Sequence, residues 1–529
     1  MPRDTFGLMM SRQVVAIAII GAVCGYASQV SGPVPDFEQA RRFYEQHRWD
    51  EARVAAEKAI AADPKMGDAE TLLGLIATVQ SQIIEAEKHF ARAVALQPRN
   101  YQARGYLGST YLQQKRLAEA ATAFRKVLEL NPGNVTANYN LGLIALEQDA
   151  PAQALTHFET VTRTHHSDVL ALIGILESQL LLHKNQNALQ TAGQLAGLLQ
   201  DRDPRLFQIA TLLAQHGESA AAVPLIERSR RVFPESYDVN YNLALTCLQA
   251  GQFEKAAEVL RPFTGPQGKA ESFDLLGTIE EKRGHPLEAE RAFRQASERG
   301  ATNEEYRFDY GNSLVQHGKL DAAAAAFRAA VSDLPKSWKL RIGLGSVFYL
   351  AGDYERSAEA LLEAVLLKPD TAPAYFLLGE AYDAATLHQP AIESAFAAYL
   401  STDPRDAWAF YHYASLQYAR AVKEGRDDFR APVANLKKAL RIDPNFAEVY
   451  FQMGLISLAE GKTEQSIAAL EKAVSLDPQL AAAHYRLGLA YQRVGNMARS
   501  KEELSRFRVL KNAAPYRTRV LESLASMGR

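Results

Sequence analysis

Few side chains in this sequence are grouped in a way that could do chemistry. His165 and His166 lie near His157 and Asp168, residue types that can hold a divalent metal. Two adjacent histidines do not by themselves supply four converging ligands, and the spacing matches none of the usual zinc sets. The group therefore reads as a solvated turn. Gly461, Lys462 and Thr463 resemble the end of a phosphate-binding loop, but Ile456 stands where that loop needs its first glycine, and a helix precedes it where a strand is required. Gly461 reads as a turn residue. Cys247 falls at an interior helical position, where a small thiol is packing material and not a nucleophile. Asn134, Val135 and Thr136 form a glycosylation sequon, relevant only in a host that glycosylates exported chains. The expectation is no catalytic residue, no metal and no cofactor.

The bulk composition points the same way. Lys plus Arg number 59 against 61 Asp plus Glu, a net charge of -2, and hydrophobic residues make up 47%. An ordinary soluble composition without a clustered basic surplus excludes a nucleic-acid footprint. There are two cysteines, Cys24 and Cys247, so the mature chain can form no internal disulfide if the first of them is removed. Its removal is expected, because Arg3 and Arg12 flank an apolar run over 14–24 that ends in Gly25, Tyr26 and Ala27. Basic flank, apolar run and small residues are the layout of a secretory signal over 1–27, and the run is too short for an ordinary membrane span. The chain is expected to be exported, periplasmic or secreted. The alternative is an anchored protein that keeps residues 1–27 as its sole membrane contact.

What must position any binding residue is a repeat. Gly74, Gly108 and Gly142 are 34 apart, as are Gly277, Gly311, Gly345 and Gly379. Ala414, Gly454 and Gly488 continue the series. Twelve residues after each small residue comes a second, at Ala86, Ala120, Ala154, Ala222, Ala256, Ala289, Ala323 and Ala391. Four further on stands a bulky apolar residue such as Phe90, Phe124, Phe158, Phe293 or Phe327. Prolines such as Pro98, Pro132, Pro335 and Pro369 close the units. Each unit thus holds two stretches of helical periodicity around a turn that often carries glycine. A large side chain at the first small position would overpack the helix contact, and the proline halts the second helix. One unit cannot bury its apolar face alone, so units must stack.

With Leu107, Gly108, Tyr111, Ala120, Phe124 and Pro132 marking one unit over 101–134, the sequence resembles the tetratricopeptide repeat (TPR) family across residues 33 to 514. The resemblance implies an all-α fold, a right-handed superhelical solenoid of about fourteen antiparallel helix pairs. It also implies a concave groove lined by the first helix of each pair. Residues three before the small position then face that groove: Tyr139, Tyr241, Phe308, Phe376, Tyr411, Phe451 and Tyr485. One group is richer than the rest. Tyr349, Phe376, Trp408, Tyr411 and Tyr418 come from three consecutive units, with Glu380 and Asp383 beside them. Aromatics joined by a few charges are the composition of binding hot spots. Some relatives capture a chaperone's terminal carboxylate with lysine, arginine and asparagine. Lys339 and Asn312 are the nearest matches here and do not complete that set.

Departures from the repeat suggest the organisation. Residues 169–202 lose the phase and the closing proline. Pro224 falls inside a second helix. The turn-rich stretch 262–269 separates an N-terminal sub-array, 33–262, from a C-terminal one, 270–514, and residues 423–429 are an insertion. Residues 515–529 read as a last helix whose Arg517, Arg519 and Glu522 keep the array's end soluble. The functional expectation is a non-catalytic scaffold that binds a protein or peptide in its groove. A substrate-delivering part of a glycosyltransferase-type enzyme is the alternative of another class, disfavoured because the repeats leave no room for a catalytic domain.

Overall fold

A computed structural model describes residues 35–402, 404–510, 520–522, 524 and 527. The expected signal at 1–27 lies outside them. Among the described residues every regular element is helical, in successive antiparallel pairs of which Tyr101–Gln113 with Leu117–Leu130 is typical. No described helix is long and apolar enough to cross a membrane.

The local chemistry of a pair explains its boundaries. In many of the pairs an Asn, Asp or Ser caps the first helix. Asn134 Oδ1 accepts from the Ala137 amide at 2.9 Å, Asp168 Oδ1 from that of Ala171 at 2.9 Å, and Asp406 Oδ1 from that of Ala409 at 3.0 Å. Each satisfies an amide that would otherwise lack a partner. The first helix then ends on one left-handed residue. It is glycine at Gly217, Gly251, Gly284, Gly318 and Gly352, but His47, Ser81, Lys115, Asp149 and His183 hold the same conformation at φ 55 to 59°. A side chain there costs roughly 1 kcal/mol, a cost repeated through the earlier pairs.

Packing is organised around the phenyl rings. Phe158 and Phe327 are 0% exposed. A Cβ on Gly142 would meet the Phe158 ring at 2.7 Å, and one on Gly311 would meet Phe327 at 2.5 Å. Glycines of the following pairs do the same from the far side: Gly174 at 2.5 Å from Phe158, Gly343 at 2.4 Å from Phe327. The small residue therefore makes room for the ring of its own pair, and the ring joins two pairs. A polar link within pairs recurs beside it. Glu70 meets His89 Nδ1 at 2.6 Å, Asn138 meets His157 Nδ1 at 3.0 Å, and His484 Nδ1 meets Glu503 at 2.5 Å.

The chain divides into two compact units, one ending at Gly251 and one beginning at Gln252. The division precedes the 262–269 stretch on which the sequence placed it. The reason is local: the short helix Phe253–Leu260 packs forward on Ala270–Lys282, with a 3-10 turn, Arg261–Phe263, between them. In the first unit, 169–202 forms an ordinary pair, Val169–Leu181 and Asn185–Leu198, and Ser219–Val232 runs on through Pro224. In the second unit, first helices adjoin first helices of the next pair from Ala270–Lys282 through Ala447–Ala459. Extensive contact between consecutive second helices is confined to Tyr354–Leu367 with Gln389–Leu400. Closer spacing on the first-helix side makes that side the inner face of the row.

Candidate functional site

The seven residues singled out from the sequence all lie on first helices of the second unit or directly after one. Tyr349 is on Trp338–Leu350, Phe376 and Glu380 on Ala372–Ala381, and Trp408, Tyr411 and Tyr418 on Ala407–Lys423. Asp383 follows Ala381 in the turn and is exposed; the other six are part-buried. The rings of Phe376 and Trp408 meet edge to face at 5.3 Å, and Trp408 meets Tyr411 at 5.7 Å. Beneath them, buried Phe446 lies 4.5 Å from Trp408 and 5.4 Å from Tyr411. Tyr418 instead meets Phe429 at a tilt, with centroids 5.4 Å apart, and Tyr349 meets Tyr354 edge to face at 5.4 Å. So Phe376, Trp408 and Tyr411 form one cluster, while Tyr349 and Tyr418 pair with other rings.

The residue that organises this cluster escaped the sequence reading. His412 is 4% exposed and lies 5.5, 5.6 and 5.2 Å from the rings of Phe376, Trp408 and Tyr411. Its presence follows from a slip of one residue in the repeat. Ala391, taken as the interior alanine of its pair, is exposed; Ile392 and Phe396 are the buried residues of that helix. With the ring displaced, the space above Gly379 is filled from the next pair, and a Cβ on Gly379 would meet the His412 ring at 2.2 Å. The first helix of the slipped pair, Ala372–Ala381, is also short, at 10 residues. His412 Nε2 sits 3.7 Å from Glu380 Oε1.

A cavity of about 450 Å³ opens beside this cluster, lined among others by Gly379, Asp383, His412, Ser415, Tyr418 and Gln452. One wall is braced. The Tyr382 hydroxyl donates to Glu393 Oε1 at 2.5 Å, and Arg420 Nη1 holds the other oxygen at 2.8 Å. Among the described residues Ser415 Oγ and Gln452 Nε2 are buried without hydrogen-bond partners, an arrangement that suits a ligand's polar group. The cavity combines the Tyr418 and His412 rings, aliphatic Leu416 and Val422, unspent hydrogen-bonding atoms and an exposed carboxylate, which fits side-chain recognition.

A second polar group lies on the same row of first helices. Burial pushes the Asp309 carboxyl up to about 8, with the carboxylates of Asp274 and Glu305 adding to the rise and Lys339 opposing it. Burial and Glu305 raise Asp274 to about 6. Lys339, weighed above for carboxylate capture, is buried instead. It contacts Glu305 and lies 4.7 Å over the Phe308 ring. Phe308, expected in the groove, is itself 0% exposed and packs on Phe327 at 5.7 Å.

This arrangement sets a pH dependence. Between the ordinary aspartate range near 4 and about 8, folded Asp309 keeps a proton that the unfolded chain has released. Stability contributed by this site therefore falls as pH rises through that window. Asp309→Asn should raise the melting temperature of the second unit, and its advantage over the parent should widen from pH 5.5 to pH 8.5. An advantage independent of pH, measured by thermal circular dichroism, would contradict this assignment.

The other polar groups weighed from sequence have structural roles. His157 is the partner of Asn138, His165 Nδ1 meets the Thr164 hydroxyl at 2.9 Å, and Asp168 is a helix cap. Gly461 is a left-handed turn residue at φ 77°, and Cys247 is buried. Among the described residues no group of three or more His, Cys, Asp or Glu side chains is placed to hold a metal.

Family patterns agree with the helix-pair fold. The pattern described as Tetratricopeptide repeat matches residues 37–83, 80–135, 207–263, 275–337, 308–370 and 342–407. A second pattern of that description matches 111–175, and one described as TPR repeat matches 456–495. No curated protein sequence matches the chain. Among solved structures, yeast Tom70 is similar over 93% of this chain and 94% of its own, at 12% identity and a TM-score of 0.33. PilF of Pseudomonas aeruginosa is similar over 43% of this chain and 97% of its own, at 19% identity and a TM-score of 0.33.

Proposed function

The chain belongs to the tetratricopeptide repeat family, and on that premise we propose that the inner face of its second unit binds a protein or peptide partner, the chain serving as a non-catalytic scaffold outside the cytoplasm. Arrays of this family bind protein partners. The observation that carries the reading here is that His412, which touches Phe376, Trp408 and Tyr411, also lines the cavity with Asp383, Tyr418 and Gln452. Part-exposed rings beside a pocket with unspent hydrogen-bonding atoms are the composition of a binding centre. The test is calorimetric titration of the purified chain with its co-purifying partner, in parent and Asp383→Lys forms. Asp383 is exposed, so reversing its charge alters the mouth of the pocket without disturbing packing. Equal affinities and equal salt dependence in both forms would count against this face.

The location outside the cytoplasm rests on Arg3, Arg12, the apolar run at 14–24 and Ala27. The mature chain is expected to begin at or near Ser28, as N-terminal sequencing of the natively produced protein would read. Recovery of an intact N-terminus in the membrane fraction would favour the anchored form. Recovery in a soluble cytosolic fraction would reject export.

A further inference from the structure

The C-terminal segment buries apolar side chains, and Arg517 and Arg519, on which its polar character was read, lie outside the described residues. Residues 520–522, 524 and 527 are helical. Val520 and Leu524 are 0% and 1% exposed, and Leu521 and Met527 are part-buried. All four pack into the apolar cluster of the second unit, the same cluster that Phe376, Trp408 and Tyr411 pack against. Glu522 between them is exposed, so the described residues read as amphipathic, with apolar residues at i, i+1, i+4 and i+7. Its backbone is also held: Gln316 Nε2, at the end of the first helix Glu304–Gln316, donates to the Leu521 carbonyl at 3.4 Å. That contact is 205 residues apart in sequence. It brings the chain's end back to a first helix well upstream of the final pair, Ala481–Arg493 with Met497–Leu510.

We infer that this helix occupies, in cis, the part of the first-helix face beside Gln316 onto which the partner also extends, and that the partner is an amphipathic helix presenting aliphatic residues with the same spacing. The inference rests on reading the inner face as a binding surface. It adds the chemistry of the ligand and a competitor built into the chain. Laying an apolar helical stripe into a groove is a common way to bind peptides, and i, i+4 and i+7 are its usual anchors. The cluster that takes up Val520 and Leu524 is built of aromatic and aliphatic side chains, which suits such a stripe. A tethered segment acts at an effective concentration on the order of 1 mM, so even a dissociation constant of about 0.1 mM keeps the seat roughly nine-tenths filled. A partner must displace it, and its apparent affinity falls about tenfold.

The test uses the full chain and a fluorescein-labelled synthetic peptide of residues 511–529. The double variant Val520→Asp, Leu524→Asp places two charges in the apolar seat and should release the helix. Its seat is then open, and by fluorescence anisotropy it should bind the peptide at least tenfold more tightly than the parent chain does. A peptide carrying the same two aspartates should not bind. Equal binding by variant and parent, including no binding by either, overturns the inference. Unfolding of the second unit in the double variant calls for Leu524→Ser alone. Loss of fold there also overturns it, because the helix is then an inseparable part of the core. Failure in any of these ways leaves the aromatic face open to a partner of another kind, which the Asp383→Lys titration reads separately.

Discussion

Replacing Phe327 by alanine should destabilise the second unit by about 3–5 kcal/mol while leaving the melting of the first unit unchanged. The ring is 0% exposed and is gripped from two pairs by Gly311 and Gly343. Glycines have no side chain to swing into the vacated space, so the cavity cannot collapse without moving backbone. Both the lost burial and the void then contribute. Confinement follows from architecture: Phe327 lies in the unit that begins at Gln252, and stability in a repeat row is approximately a sum of pair and neighbour terms. Hydrogen exchange followed peptide by peptide provides the measurement. Protection should drop around 304–350 and persist in 67–164. A loss below about 1 kcal/mol, or equal loosening in both units, would show that the ring does not organise this part of the row.

The legibility of that site in the sequence is instructive. Gly311 and Phe327 recur in phase with Gly142 and Phe158, so spacing alone placed them together. Periodicity captures whatever every pair needs: the capped start, the small residue, the ring, the stop. It fails where one pair departs by a single residue. Ala391 matches the pattern, yet Ile392 and Phe396 are the buried ones, and the vacancy this leaves over Gly379 is what admits His412. No local signal distinguishes His412 from a solvated histidine, because its place depends on the neighbouring pair's register. The left-handed conformations of Lys115, Asp149 and His183 were likewise hidden, since glycine is the usual mark of that turn. Burial of Phe308 and Lys339 was missed for a related reason. Position in the repeat indicates direction, but the depth of the face depends on what lies across it. The C-terminal helix is the clearest instance. Glu522 is exposed as its charge suggested, but nothing local in the sequence showed that Val520 and Leu524 pack with residues far upstream.

The largest effect on binding is expected from Trp408→Ala combined with Tyr411→Ala, a loss of about 2 kcal/mol or more, roughly thirtyfold in affinity. Trp408 is the centre of the cluster, meeting Phe376, Tyr411, His412 and Phe446 within 5.7 Å. Because Phe446 is buried, the double change should also cost some local stability, so binding is to be measured below the variant's unfolding range. Its loss should exceed that caused by Asp383→Lys, which leaves the rings in place. Unaltered affinity in the ring variant would move the ligand to another part of the array, such as the first-helix face of the first unit near Tyr139.

The central claim, that the first-helix face of the second unit contacts a partner, is most directly tested by site-specific photo-crosslinking in the producing cells. A benzophenone amino acid is placed at Asp383 or Tyr418 on the inner side, and at Glu359 or Lys437 on exposed positions of second helices. The prediction is one prominent intermolecular adduct from the inner positions, absent from the outer ones and lost when Trp408 and Tyr411 are replaced by alanine. Adducts of equal strength from both faces, or adducts that persist in the ring variant, would contradict it.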